Sequence, residues 1–250
     1  KLLDDAALRA LQDRIDAIML GEASLDYDRL LMQLDSSSGK YEDAGKQTRG
    51  HKGATLNYRK IQDLEYDPVF LEFIQQPVFR DACERIYGKG EAISVFRTMF
   101  MNKPAGKGTW LPWHQDRWNF LTEDPLLTVW VALDPATREN GSVQYIPDSH
   151  RDGLINPEHA SGFLTREQAA EICTEDRVRH LELEPGEAAL LHNHLLHASD
   201  VNRSNQSRRA LSMCYMKAST RHVKGEGDGY PVVFGEGALA PDSPEMAGAS

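Results

Sequence analysis

The stretch LLTVWVALDPATRENGSVQYI, residues 126–146, decides the fold class. It contains two short runs rich in β-branched and aromatic residues, Leu126–Leu133 and Ser142–Ile146, separated by turn-forming residues. Runs of this kind are typical of β-strands. Other runs with the same two-residue period are Ile93–Met101, Val178–Leu183, Glu187–His192 and Ala210–Met216. The sequence therefore predicts a fold that is mainly β with flanking helices, arranged as a sandwich or an open barrel.

Helical signals are concentrated before residue 90. Asp4 and Asp5 can cap a helix whose apolar residues recur at helical spacing up to Gly21, and shorter helices are predicted to begin at Pro68 and Pro77. A lone later helix, Thr165–Ile172, starts with a Thr-x-x-Gln capping box. These helices are expected to flank the strands rather than to form a site.

The chain shows no internal repeat and no internal low-complexity segment. We expect one domain over residues 1–235, with a helical front at 1–90 and a strand-rich core at 91–220, followed by a tail at 236–250 rich in small residues. The polar, glycine-bearing segment Ser36–Gly53 predicts a long mobile loop, and such loops often serve as lids. Arg59 and Lys60 follow it and are candidates for substrate or lid contacts, or for scaffold.

Composition narrows the class of partner. The 250 residues include 28 Lys plus Arg against 38 Asp plus Glu, a formal net charge of −10. This charge disfavours nucleic acid and anionic membrane as partners, and no apolar run reaches the roughly 18 residues that span a bilayer. We expect a cytoplasmic monomer or homodimer that binds a small molecule. A targeting peptide removed from upstream of Lys1 stays open, because the chain begins within a helical pattern.

Cysteine usage points to a reducing compartment. The three cysteines, Cys83, Cys173 and Cys214, lie far apart and form no Cys-x-x-Cys pair. This spacing argues against a disulfide scaffold and against a zinc-thiolate site.

The chemistry is concentrated in two short segments. His114 and Asp116 lie two residues apart, a spacing that puts both side chains on one face of an extended chain but about 200° apart on a helix. A lone His-x-Asp is more often a surface pair than a metal site. With a second histidine, however, it would complete the two-His, one-carboxylate set that non-haem Fe(II) uses.

The third ligand is sought among His192, His194 and His197. If the chain forms a hairpin with its turn near residues 202–206, His197 lies opposite Arg208, whose planar guanidinium suits a carboxylate. In a regular strand His192 and His194 would face away from His197. We therefore favour His197 as the third ligand.

Other notable residues carry weaker signals. His150 and His180 have no partner at ligand spacing, so a structural role or plain exposure is the expected one. The aromatic residues Trp113, Trp118 and Phe120 suit the core and a substrate wall equally well.

Three separated motifs resemble the phytanoyl-CoA dioxygenase family, a branch of the Fe(II)/2-oxoglutarate oxygenases. They are WHQD at 113–116, TVWVALDPATRENGSVQYIPDSHRDG at 128–153 and LLHASDVNRSNQSRRAL at 195–211. The resemblance covers about residues 93–216 and implies a double-stranded β-helix, the cupin-like jelly roll. By position it implies that His114, Asp116 and His197 bind iron and that Arg208 binds 2-oxoglutarate. Trp130 and Ser199 match further, less secure co-substrate contacts.

The resemblance also implies a reaction. A family member would use Fe(II), 2-oxoglutarate and O2 to hydroxylate a C–H bond, releasing succinate and CO2. Gln115, Arg117 and Trp118 are candidates for substrate contacts or for scaffold. Asp148 replaces the usual glycine of the IPGSH motif, at a position that touches none of the implied ligands. The carboxylate of Asp116 is present at the ligand position, and this disfavours halogenation.

The substrate and two other function classes stay open at this stage. A compact basic patch for a CoA ester is approached only near the Arg203–Arg209 and Arg221–Lys224 segments, so we favour a free metabolite. A metal-dependent cupin-type isomerase or hydrolase that does not use 2-oxoglutarate would need the same triad. A non-catalytic metabolite-binding protein would need it as well.

Overall fold

The computed structural model describes residues 1–225, 227, 229–242 and 246. Two antiparallel sheets enclose a cavity, as in a jelly roll, so the predicted fold class is confirmed. The strands are β1 (Leu31–Leu34), β2 (Thr48–Arg49), β3 (Tyr58–Gln62), β4 (Ile93–Lys103), β5 (Leu111–His114), β6 (Leu127–Ala132), β7 (Val143–Tyr145), β8 (Arg179–Leu181), β9 (Ala188–His192), β10 (His197–Ser199), β11 (Arg208–Lys217) and β12 (Val232–Phe234).

The larger sheet has the order β2-β1-β3-β4-β11-β6-β9, and β12 pairs with the start of β4. The smaller sheet has the order β5-β10-β7-β8. The ladder between β4 and β11 runs from Lys103↔Arg208 to Ile93↔Lys217. All six strand runs predicted from the sequence lie in these sheets, as β4, β6, β7, β8, β9 and β11.

The helices are α1 (Asp5–Leu20), α2 (Pro68–Ile74), α3 (Pro77–Tyr87) and α4 (Arg166–Ile172). The predicted starts of α1, α2 and α4 are confirmed by side-chain caps, and α3 begins at the predicted Pro77. The Asp4 side chain accepts from the Ala6 and Ala7 amides, and Asp67 caps α2 in the same way. Thr165 and Gln168 form the predicted capping box of α4. Among the described residues no helix is both long and apolar enough to cross a bilayer.

The front of the chain is less helical than predicted. β1, β2 and β3 lie within residues 1–90 and extend the larger sheet, because β3 pairs with β4 and β1 with β3. These strands are short and of mixed polarity, so their sheet partners rather than their own sequence decide their conformation. The Ser36–Gly53 segment holds a 3₁₀ turn, Tyr41–Asp43, and the two residues of β2.

The single-domain boundary at 235 and the mobility of the loop stay predictions. The predicted tail at 236–250 lies largely outside the described residues. Asp148, the residue in place of a motif glycine, has a φ of 61°, the left-handed conformation that glycine adopts most readily. Because aspartate tolerates this region better than most residues, the turn is preserved.

The two faces of the larger sheet have different roles. On one face, alternate residues of β6 and β11 pack with α1, α2 and α3 into the main apolar core: Leu127, Val129, Val131, Leu211, Met213 and Tyr215. On the other face, the intervening residues line the cavity between the sheets, among them Thr128, Trp130, Arg208 and Ser212. The two-residue strand period therefore separates the core from the cavity.

Glu65 is a buried acid next to this core. It is 2% exposed and its Oε2 accepts from the Thr98 amide at 3.2 Å, while the Thr98 hydroxyl has no hydrogen-bond partner among the described residues. Burial raises the pKa of Glu65 to about 8. The native state therefore favours the protonated carboxyl group.

We predict that Glu65→Gln changes how stability depends on pH. The folded pKa lies above the unfolded value of about 4.5, so the wild type should lose stability as pH rises from 4.5 through 8. The glutamine amide can still accept from Thr98 and donate to its hydroxyl, so the variant should melt a few degrees higher than the wild type at pH 8.5. Thermal melting at pH 5 and 8.5 measures this, with Glu72→Gln at an exposed position of α2 as the control. Parallel melting curves across this range would contradict it.

Candidate metal centre

The cavity between the two sheets measures about 180 Å³. Both sheets contribute to its wall, and the loops before β3 and β6 close it. Its lining from the larger sheet includes Lys60, Arg97, Met99, Met101, Thr128, Trp130, Arg208 and Ser212, and from the smaller sheet Leu111, His114, Val143, His197, Ala198 and Ser199.

The structure brings the three predicted ligands together in this cavity. His114 ends β5 and is the register partner of His197, which begins β10, and their ring centroids are 4.1 Å apart. Asp116 lies just beyond β5, and each histidine Nε2 is 3.8 Å from one of its carboxylate oxygens. One ligand atom from each residue lies within 4.8 Å of the other two. This spacing suits a shared metal ion.

Both histidines are oriented for coordination through Nε2. The Nδ1 of His114 donates to the Pro112 carbonyl at 2.8 Å, and that of His197 to the Leu195 carbonyl at 2.9 Å. A carbonyl can only accept, so the proton is on Nδ1 and the Nε2 lone pair is free. Burial, with nearby His197, lowers the pKa of His114 to about 3, so its imidazole is neutral at neutral pH.

The carboxylate is kept ionised. Burial alone would raise the pKa of Asp116, but His197, His114 and Arg97 together bring it below its ordinary value. Neutral imidazoles and an ionised carboxylate are the forms that bind metal.

A hydrogen-bond network fixes the turn that carries Asp116. The Asp116 amide donates to the Asn193 carbonyl at 2.7 Å, and the Asn193 side chain accepts from the Thr128 hydroxyl at 2.9 Å. Sequence reasoning missed Asn193, since a single asparagine in a loop gives no distinctive signal. It ties the Asp116 turn to the segment that leads to His197.

Of the two roles that the sequence left open for Gln115, substrate contact or scaffold, its hydrogen bonds favour scaffold. It is fully buried, its Nε2 donates to the Gly153 and His194 carbonyls, and its Oε1 accepts from the Ile155 amide. These bonds use the side chain to hold three loops around the ligands, so Gln115 belongs to the scaffold.

The hairpin predicted between His197 and Arg208 is wrong. β10 pairs with β5 and β7 in the smaller sheet, whereas β11 pairs with β4 and β6 in the larger one. The chain crosses from one sheet to the other between residues 200 and 207. Arg208 nevertheless lines the same cavity as His197, because it points from the opposite sheet toward it.

Arg208 is a buried cation with unused donors. It is 2% exposed, and its Nη2 donates to the Gly141 carbonyl at 3.3 Å. Its Nε and Nη1, and the indole nitrogen of Trp130, are buried without a hydrogen-bond acceptor among the described residues. Burial lowers the pKa of Arg208 to about 10, so it remains charged at neutral pH. Two free N–H groups on a planar guanidinium suit a carboxylate.

The adjacent Arg209 points to the other face of the sheet. Its guanidinium binds Asp134 through Nε and Nη2, and Asp16 of α1 through Nη1, at 2.7–2.9 Å. These ion pairs connect β11 to helix α1. Arg209 is therefore a structural residue.

The other histidines singled out in the sequence, His150, His180, His192 and His194, are not part of the triad. His194 is 3.4 Å from Asp124 and does not line the cavity. His192 does line it, contrary to the expectation that it faces away, because a turn after β9 breaks the strand period before His197. His150 packs on His192 with centroids 4.9 Å apart, and His180 lines a separate surface cleft.

Some of the aromatic and basic candidates line the cavity and others do not. Trp118 is buried and also lines the cavity, while Arg59 and Lys60 line it as well. Residues outside the lining are Trp113, Arg117 and Phe120. Arg117 donates to the Pro157 carbonyl and faces Asp124.

Comparison with known proteins places this architecture among relatives. A family model described as phytanoyl-CoA dioxygenase (PhyH) matches residues 1–210. A probable phytanoyl-CoA dioxygenase of Caenorhabditis elegans is 30% identical over 179 residues, which cover 67% of this chain and 57% of that protein. The peroxisomal phytanoyl-CoA dioxygenase of Homo sapiens is 27% identical over 177 residues, 67% of this chain and 52% of that one. The chain thus spans about half the length of the curated relatives it matches.

Solved structures share the fold. EctD from S. alaskensis, determined with 2-oxoglutarate and 5-hydroxyectoine, is 18% identical and covers 89% of this chain and 72% of its own, with a TM-score of 0.67. The non-haem monooxygenase ThoJ, in its apo form, is 25% identical and covers 66% of this chain and 61% of its own, with a TM-score of 0.53.

We predict that His197→Ala abolishes metal binding while His194→Ala does not. Loss of one of three ligands should weaken binding by more than about 100-fold, since loss of an outer partner alone costs 10–100-fold. His194→Ala leaves the backbone carbonyl that Gln115 binds in place. Metal content after anaerobic dialysis against Fe(II), with circular dichroism as the folding check, measures both. Equal loss in the two variants would rule out His197 as the distinctive third ligand.

Proposed function

Because this chain belongs to the phytanoyl-CoA dioxygenase family, we propose that it is an Fe(II)- and 2-oxoglutarate-dependent dioxygenase. Its reaction would hydroxylate a small-molecule metabolite at a C–H bond with release of succinate and CO2. The observation that carries this proposal is the presence, in one cavity, of the His114, Asp116 and His197 triad and of the unsatisfied Arg208 guanidinium.

The donor set fits iron. Two imidazoles and one carboxylate would leave coordination positions of the ion open, and this is the donor set of non-haem Fe(II) oxygenases. When bound, iron would couple the oxidative decarboxylation of 2-oxoglutarate by O2 to oxidation of the substrate C–H bond. The protein's own groups hold the ion, orient the reactants and exclude water.

Arg208 fits the far carboxylate of 2-oxoglutarate. Its Nε and Nη1 are both free to donate to a carboxylate, and the Trp130 indole, whose ring centre is 5.4 Å from the guanidinium carbon, offers another nearby donor. Ser199 adds a hydroxyl to the same lining. We assign these three residues to co-substrate binding, with Arg208 as the anchor.

Apolar side chains shield the centre. Phe163 stacks on the His114 ring with centroids 4.8 Å apart, and Met99, Leu191 and Leu195 line the adjacent wall. A water-poor cavity strengthens the Arg208–carboxylate attraction and protects reactive species from side reactions.

Arg208 also separates this proposal from the alternatives. A metal-dependent isomerase or hydrolase without 2-oxoglutarate would leave Arg208 buried and unpaired, at a cost of several kcal/mol. A non-catalytic binding protein would keep the same residues, and measured turnover of 2-oxoglutarate distinguishes it from the proposed enzyme. The cytoplasmic location and the monomeric or homodimeric state stay predictions.

Turnover of 2-oxoglutarate tests the proposal. The protein with Fe(II), 2-oxoglutarate and air should release succinate, and metal removal by a chelator should abolish the release. Arg208→Gln should retain iron but bind 2-oxoglutarate at least about 30-fold more weakly, because it removes the charged partner of a buried anion. Calorimetric titration of 2-oxoglutarate into the anaerobic protein measures the affinity.

The matched control is Arg80→Gln, which changes an exposed arginine on α3 outside the cavity lining. Arg209 does not serve as a control, since its loss would break the ion pairs to Asp16 and Asp134. Wild-type affinity for 2-oxoglutarate in Arg208→Gln would contradict the anchor assignment. An absence of iron-dependent succinate would contradict the proposed function.

A further inference from the structure

The side chains that line the cavity keep an excess of positive charge even after the charges of iron and 2-oxoglutarate are counted. Among the described residues that line it, the cations are Arg59, Lys60, Arg97 and Arg208, and the carboxylate is Asp116. The charges of Fe(II) and of the 2-oxoglutarate dianion cancel each other, so Asp116 offsets one cation. Even with Lys60 left out, since burial lowers its pKa well below the ordinary value, cationic side chains remain in excess.

Arg97 has the proposed metal ligand Asp116 as its charged neighbour and is assigned no other anion. Arg208 is assigned to the co-substrate, and Arg59 donates to the Gln33 side chain at 2.7 Å and lies near Asp35. Arg97, by contrast, has a buried Nε with no hydrogen-bond acceptor among the described residues. Its Nη2 is 3.7 Å from the Asp116 carboxylate, beyond hydrogen-bond distance.

The backbone and two aromatic rings hold Arg97 in place. The β4–β11 register shifts between Cys214 and Tyr215, so Phe96 is an extra residue in β4 and lies next to Arg97 on the cavity side. The guanidinium carbon is 4.5 Å from the Trp118 ring centre and 5.3 Å from that of Phe96. This cation–π packing fixes the guanidinium beside the metal centre before any ligand arrives.

Metal binding changes the surroundings of Arg97. When Asp116 coordinates a dication, it shares its charge with the metal, and the metal itself repels the guanidinium. A cation that is only 17% exposed then needs another anion nearby.

We propose that Arg97 binds an anionic group of the primary substrate, a carboxylate or a phosphate, and that the substrate class is therefore anionic. This inference rests on the proposed function, because it assumes a metal at Asp116 and 2-oxoglutarate at Arg208. Arg97 selects the substrate by charge and fixes its position relative to the metal.

The co-substrate is the other possible source of an anion. Its far carboxylate is assigned to Arg208, which pairs with Lys103, six residues along β4 from Arg97 or about 20 Å of strand. Arg208 therefore projects from one end of the β4–β11 ladder, whereas Arg97 projects from its interior, opposite Cys214. The carboxylate of 2-oxoglutarate nearest the metal remains within reach of Arg97, so the experiment must separate the two anions.

The test uses hexanoate and hexanamide, two probes of equal length that differ in charge. Each is titrated into the anaerobic full chain loaded with Fe(II) and saturating 2-oxoglutarate, and binding is followed by calorimetry. Hexanoate should bind at least about tenfold more tightly than hexanamide, the range for hydrogen bonds to a charged group. Arg97→Gln should remove this preference, Arg97→Lys should keep part of it, and Arg80→Gln, at an exposed arginine of α3, should keep it in full.

The outcomes separate the inference from the proposed function. Equal binding of the two probes by the wild type, including no binding of either, overturns the anionic substrate class. A preference that survives in Arg97→Gln overturns the role of Arg97. If Arg97→Gln instead weakens 2-oxoglutarate or iron binding, Arg97 serves the co-substrate or positions Asp116. If the wild type fails to bind iron and 2-oxoglutarate at all, the proposed function itself fails.

Discussion

The two-residue period of a β-strand puts the neighbouring arginines 208 and 209 on opposite faces of the larger sheet, and this division organises the whole protein. Arg209 points toward the helices and is fully paired with Asp134 and Asp16. Arg208 points into the cavity and keeps two donors free. By the same alternation, the apolar residues of β6 and β11 pack into the core, and the residues between them line the cavity.

Several buried polar atoms on the cavity face of the larger sheet have no hydrogen-bond partner among the described residues. Arg208, Arg97 and the Trp130 indole all have buried polar atoms without partners among the described residues. Buried polar groups are normally paired, so these atoms mark where ligand oxygens belong. The proposed metal ligands, in contrast, are already fixed, since backbone carbonyls orient both imidazoles and Asn193 holds the Asp116 turn. The site is therefore preorganised at the proposed metal ligands and keeps unpaired donors where the proposed organic reactants would bind.

Local sequence signals predicted the parts of the structure that local physics determines. The capped helices and the strongly patterned strands lie at their predicted positions. The chain at His114 is extended, as predicted. β1 to β3 escaped prediction because their conformation depends on pairing with β4. The His197–Arg208 hairpin was wrong because nothing local distinguishes a tight hairpin from a crossing between two sheets. His192 was misplaced for a related reason, since the turn after β9 interrupts the strand period.

Anaerobic titration of the Fe(II)-loaded protein with 2-oxoglutarate, followed by visible absorbance, tests the central claim most directly. The claim is that the triad and Arg208 hold the iron and the co-substrate together in one cavity. It predicts a weak charge-transfer band that saturates at one equivalent of 2-oxoglutarate per iron, the signature of direct chelation. A protein that binds iron but forms no such band at saturating 2-oxoglutarate would contradict it.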